Sequence, residues 1–161
     1  MKPFAVALAL AAVAEVPAFA AVSAAGELTV KGAVMRAVGP GVANTAGYVT
    51  IVNRGARDDK LLSASCACAR SVELHLSHVM DGTAMMMPAG EVLVPAGGQV
   101  SFAPGGYHLM VMGLKAPLTD GRTQDVVLKF ERAGTVKAAF DVRSRIALAA
   151  APAMAGMDMH H

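Results

Sequence analysis

Two stretches of the sequence carry side chains that suit soft metal ions. VELHL at residues 72–76 and YHLMVM at residues 107–112 each read as a β-strand, and side chains on a strand alternate between its faces. In the first, Val72, Leu74 and Leu76 share one face while Glu73 and His75 share the other. In the second, Tyr107, Leu109 and Val111 lie on one face and His108, Met110 and Met112 on the opposite one, so His108 and Met110 project together. Between these strands sits the run Met85-Met86-Met87. Alternation sends Met86 to the opposite side from its two neighbours, and at least one of the three must face away from the core. His75, one methionine of this run, His108 and Met110 would bring together two imidazoles and two thioethers.

Such a set is chemically selective. A neutral thioether is soft and offers no charge to a hard cation such as calcium or magnesium, and zinc sites are built from Cys, His and carboxylate. Cu(I) is the ion that fits. A thiolate would hold Cu(I) more tightly, but in an oxidising compartment it can be lost to a disulfide, whereas a thioether needs no deprotonation. Moderate, exchangeable binding is the expectation.

Methionine is also the anomaly of the composition: 11 in 161 residues, with no tryptophan and 4% aromatics. As a flexible filler of cores it would account for Met35 and Met80 taken singly, but not for the clusters. A second cluster ends the chain, where Met154, Met157, Met159, His160 and His161 fall within eight residues. The methionines suit Cu(I), and imidazole with carboxylate suits Cu(II), which makes this stretch a secondary copper site or a plain flexible tail. Cys66 and Cys68 are too few for a disulfide scaffold. Extended, their Cα atoms would lie roughly 6.5 Å apart, near the upper limit for a bridge. A local disulfide and two free thiols are both open, and an accessory copper or redox role is the lesser expectation.

The elements that position these residues are short strands. Candidates run over 28–35, 45–52, 60–63, 72–76, 85–87, 92–94, 99–102, 107–112, 125–130 and 136–142, separated by Gly-, Pro-, Asn- and Asp-bearing turns such as Asp81-Gly82 and Pro104-Gly105-Gly106. No stretch competes at helical period. The predicted fold is all-β, a Greek-key sandwich or barrel, in a single domain over residues 26–145, with residues 146–161 as a flexible Met/His-rich tail. Asp58-Asp59 reads as a solvated turn. Residues 1–20 read as a secretory signal peptide: Lys2, an apolar run from Phe4 to Val13, and Ala18-x-Ala20 as the cleavage site, with a cut as late as residue 25 compatible. The apolar run is too short for a bilayer-spanning helix, so stable membrane insertion is not expected. The formal net charge of +2 shows no basic stripe, and nucleic acid is not an expected partner.

The spacing His75, ten residues, Met86, twenty-one residues, His108, one residue, Met110 resembles the H-x10-M-x21-H-x-M signature of the periplasmic copper chaperone family PCuAC. The likeness extends over VELH, Asp81-Gly82, PAGG at 95–98 and PGGYHLMVMGLKAPL at 104–118. It implies a cupredoxin-like barrel, a periplasmic location, Cu(I) held by His75, Met86, His108 and Met110, and delivery toward the CuA centre of cytochrome c oxidase beside Sco-type copper proteins. His78 and the additional methionines Met80, Met85, Met87 and Met112 depart from the usual pattern, and a loop shift by one residue would let Met85 or Met87 replace Met86.

Three other readings compete. An electron-transfer cupredoxin needs a Cys ligand beside two His and a weak axial Met, and no cysteine follows Cys68. An exported β-sandwich for copper storage or resistance, or a structural domain without metal, is the alternative function. Catalysis is not expected, since no nucleophile stands with a base in a recognisable arrangement.

Overall fold

The computed structural model describes residues 23–144. The expected signal peptide, apart from its latest cleavage positions, and the tail with Met154, Met157, Met159, His160 and His161 lie outside the described residues.

Eleven strands make up the structure: β1 (Ser23–Ala25), β2 (Leu28–Arg36), β3 (Asn44–Asn53), β4 (Asp59–Cys66), β5 (Ala69–Met80), β6 (Thr83–Pro88), β7 (Val92–Val94), β8 (Gln99–Phe102), β9 (Tyr107–Leu114), β10 (Thr123–Phe130) and β11 (Thr135–Arg143). No helix occurs among the described residues. The strands are rich in Val, Ile, Leu and Thr, whose branched side chains pack well on a pleated surface, and their inward positions alternate with exposed ones, as in β11.

Seven strands close into a barrel in the order β2-β11-β10-β4-β5-β9-β3, with β3 returning to β2. Neighbours along the barrel are mostly remote in sequence, the Greek-key arrangement expected of the sequence. The β2–β11 ladder is parallel, and every other described ladder is antiparallel. β1, β8, β6 and β7 are appended to β2, β3, β5 and β4 respectively. The interior is filled by Phe130, Phe140, Leu28, Ile51, Leu61, Leu109, Leu128 and Met35, all nearly or fully buried. Each large side chain of this kind stabilises the fold by about 1.5–3 kcal/mol.

Two expectations change, and one open alternative is settled. Met35 fills the core, but Met80 is 55% exposed, because β5 and β6 run on as a hairpin past the barrel wall. Asp59 is buried at the start of β4 rather than solvated. Its Oδ1 accepts from the Lys60 and Arg132 amides and its Oδ2 from the Ala133 amide, at 2.8–2.9 Å, so the carboxylate ties the β10–β11 turn to β4. Cys66 and Cys68 form a disulfide with Cα atoms 5.1 Å apart; Cys68 lies in the β4–β5 turn, and leaving the extended conformation shortens the separation.

Candidate metal centre

The centre is built on β5, β6 and β9, and its register begins at a turn. Asp81 and Gly82 both have positive φ, 51° and 74°, the conformation of a two-residue type I′ hairpin that Asp-Gly sequences favour. The turn pairs Met80 with Thr83 and so fixes every pair above it, including His78 with Met85, Ser77 with Met86 and Leu76 with Met87. Directly paired residues of a ladder share a face. Met86 therefore lies on the face of Ser77 and His75, while Met85 and Met87 lie on the reverse face with His78 and Leu76.

On its other side β5 pairs with β9, setting His75 against His108 and Glu73 against Met110. Inward, Leu74 lies against Leu109 and Val72 against Val111, all buried. The core side of the two strands thus anchors the ladder, and the outward side carries Glu73, His75, His108 and Met110. The four sequence-selected residues His75, Met86, His108 and Met110 share this outer face. The rings of His75 and His108 have centroids 5.8 Å apart. His108 is 5% exposed although it faces away from the core, and it sits in the wall of a cleft of about 530 Å³. Met86, His108 and Met110 line it with Val38, Val42 and Tyr48; His75 stands behind them, opposite His108. Burial of Tyr48 raises its hydroxyl above the ordinary value, and the nearby Arg36 partly offsets this.

Hydrogen bonds set the protonation of both imidazoles. Glu73 Oε2 lies 3.0 Å from His75 Nε2, and the Gly106 carbonyl 3.1 Å from His108 Nδ1. A carboxylate and a carbonyl can only accept, so the proton sits on Nε2 of His75 and on Nδ1 of His108. In the neutral rings the lone pairs are then on His75 Nδ1 and His108 Nε2. Both atoms are buried without a hydrogen-bond partner among the described residues, which costs free energy unless something else satisfies them. Orientation of one ring nitrogen by a carboxylate or carbonyl while the other stays free is the usual arrangement behind a metal-binding histidine. No group of three or more His, Cys, Asp or Glu side chains is placed to hold a metal among the described residues, so a site here has to draw on thioethers.

Sequence reasoning placed Glu73 beside His75 without giving it a role. It missed the Gly106 carbonyl and the covering side chains Val38, Val42 and Tyr48. The i, i+2 spacing of Glu73 and His75 was the available signal for the first; the others come from segments remote in sequence.

The barrel resembles solved PCuAC domains. It aligns with the apo PCuAC domain of PmoF1 at 28% identity and a TM-score of 0.65, covering 74% of this chain and 95% of that one. The copper-bound PCuAC domain of PmoF2 aligns at 26% identity and a TM-score of 0.64, over 77% of this chain and 96% of that one. The Cu(I) form of DR1885 from Deinococcus radiodurans aligns at 33% identity and a TM-score of 0.55, over 71% and 77% of the two chains. A curated relative, lipoprotein Lxx21020 of Leifsonia xyli subsp. xyli, is 34% identical over 110 residues, which span 68% of this chain and 65% of the relative's length. Residues 28–142, the whole barrel from β2 almost to the end of β11, match the LpqE-like lipoprotein family, and the chain belongs to that family.

Proposed function

We propose that this protein is an exported copper chaperone that binds one Cu(I) ion through His75, Met86, His108 and Met110 and passes it on. The observation that carries the reading is the pair of buried imidazole nitrogens, each with its lone pair free and its other nitrogen bonded. A metal–nitrogen bond of about 2 Å to each ring is compatible with centroids 5.8 Å apart. Two thioethers complete a neutral, soft set that favours Cu(I) over zinc or calcium. The copper-bound state of the similar PmoF2 PCuAC domain and the Cu(I) form of the similar DR1885 support the same cargo.

Copper is cargo in this reading. Thioether ligands exchange without proton release, and the open cleft admits an acceptor's ligands one at a time, so transfer rather than turnover is the function. The CuA-bearing subunit of cytochrome c oxidase and Sco-type proteins are the proposed acceptor and companion, and the periplasm is the proposed location; the lipoprotein names of the family and its relative support export. The tail residues Met154, Met157, Met159, His160 and His161 are proposed as a secondary site able to take Cu(I) or Cu(II).

The test is a Cu(I) titration of the full chain against a chromogenic chelator under anaerobic reducing conditions. Replacing His108 and Met110 together by alanine should remove one equivalent. Unchanged stoichiometry in the double variant would overturn the assignment.

A further inference from the structure

The hairpin that supplies Met86 to the outer face carries a second set of soft donors on its reverse. From the structure we infer that His78, Met85 and Met87, with Met80 at the margin, form a separate site for a soft monovalent cation, Cu(I) or Ag(I), back to back with the centre on His75 and His108.

The Asp81-Gly82 turn places these residues as strictly as it places Met86. His78 and Met85 are direct partners, Leu76 and Met87 the next pair along, and Met80 and Thr83 the pair before. All six lie on the reverse face. Directly opposed side chains have Cβ atoms about 4.5–5.5 Å apart and diagonal ones about 7–8 Å. The long, unbranched methionine side chains at 85 and 87 can therefore both swing their sulfur onto the imidazole of His78, which lies opposite Met85 and diagonal to Met87.

Two independent observations mark the cluster as more than an accident of composition. His78 Nδ1 is buried and has no hydrogen-bond partner among the described residues, the same condition as the free nitrogens of His75 and His108. The methionines beside it lie outside the core: Met80, Met85 and Met87 are 55%, 47% and 43% exposed. Exposed apolar side chains grouped on one face, next to an unsatisfied imidazole, suit a ligand that takes nitrogen and sulfur together. Asp81, in the turn, is the one carboxylate between His75 and Pro88, so a hard divalent ion would find too little charge. The donor set is one nitrogen and two or three sulfurs, all neutral, and a monovalent soft cation is the class it accepts.

This site does not need the His75–His108 centre to exist, because it shares no donor with it. The two faces can hold one ion each, and the hairpin then separates them by the thickness of a single strand pair.

The test uses the full chain with ¹³C-labelled methionine methyls and ¹⁵N-labelled histidine, titrated anaerobically with Cu(I) and, as a redox-inert stand-in, with Ag(I). Expected are displacements of the Met85 and Met87 methyl signals and of the His78 Nδ1 resonance, in addition to those of Met86, Met110, His75 and His108. In the Met85→Leu/Met87→Leu double variant the His78 Nδ1 displacement should vanish while the His108 Nε2 displacement stays. Static Met85 and Met87 methyls throughout the titration, or an undiminished His78 displacement in the double variant, would overturn the inference. Displacement of the Met85, Met87 and His78 signals with Met86, Met110, His75 and His108 all static would uphold it and refute the proposed chaperone centre instead.

Discussion

His75 lies directly opposite His108 in the β5–β9 ladder, and each ring is held by a different acceptor: His75 by the Glu73 carboxylate two residues back on its own strand, His108 by the Gly106 carbonyl. The two outward-facing histidines are thus oriented by their own strand and turn, before any metal arrives. A pair preorganised in this way loses little conformational freedom when an ion binds.

Removing the carboxylate should loosen His75 without unfolding the protein. Glu73 is 47% exposed at its side chain, where such a contact contributes about 0–1 kcal/mol to stability. Glu73→Ala is expected to weaken Cu(I) affinity by about 10–100-fold, the usual effect of losing an orienting partner. Chelator competition reads the affinity and thermal melting the stability.

The register predicts which methionine belongs to the outer face. Met86→Leu should weaken the His75–His108 centre, whereas Met85→Leu and Met87→Leu should leave its affinity within about twofold. Each swap conserves volume at an exposed position, for which stability changes stay below about 1.5 kcal/mol. Comparable losses at all three positions would contradict the pairing of Met86 with Ser77.

Asp59→Ala would strand the Lys60, Arg132 and Ala133 amides that the carboxylate satisfies. A buried unsatisfied donor costs about 1–3 kcal/mol, so a loss of at least about 3 kcal/mol is expected. Urea denaturation should show a lower midpoint with an unchanged slope.

Tyr48 gives a signed pH dependence. Its folded-state pKa is raised from the ordinary 10.0, chiefly by desolvation and despite Arg36. Below that ordinary value the phenol is neutral in both states and the shift contributes nothing adverse. As pH rises through about 10 the unfolded chain ionises first, so stability falls until the folded pKa is passed. Denaturation curves between about pH 8 and pH 11 should show this fall in the parent and a shallower one in Tyr48→Phe.

The Cys66–Cys68 bridge closes a very small loop, for which the chain-entropy relation gives about 1–2 kcal/mol. Cys68 precedes His75 by seven residues, roughly 23 Å of extended chain. The Cys66→Ser/Cys68→Ser variant should therefore melt a few degrees lower with Cu(I) affinity at the His75–His108 centre unchanged.

Much of this architecture was legible in the sequence. Alternation alone put Leu109 and Val111 in the core and His108 and Met110 outside, and the positions of β7 and β8 were read residue for residue. Met86 was left ambiguous because a run of three identical residues carries no pattern of its own. The missing information was in Asp81-Gly82, since a two-residue turn dictates every pair along its hairpin. Asp59 was misread because nothing local distinguishes a solvated aspartate from one whose partners, Arg132 and Ala133, arrive from more than seventy residues away. Burial of His108 was hidden for the same reason: Val38 and Val42, on the far side of the cleft, belong to the β2–β3 connection.

The last described strand ends at this cleft. The Arg143 carbonyl accepts from the Ala37 amide at 2.7 Å, and Ala37 lines the same cavity as His108 and Met110. The chain beyond Ser144 therefore starts near the rim, and a flexible tether that reached the centre would give an attached ligand an effective concentration on the order of millimolar. A polyhistidine purification tag fused at this end would compete for copper as an intramolecular chelator and distort any affinity measured on the centre. Copper titrations of this protein call for a cleavable tag or none.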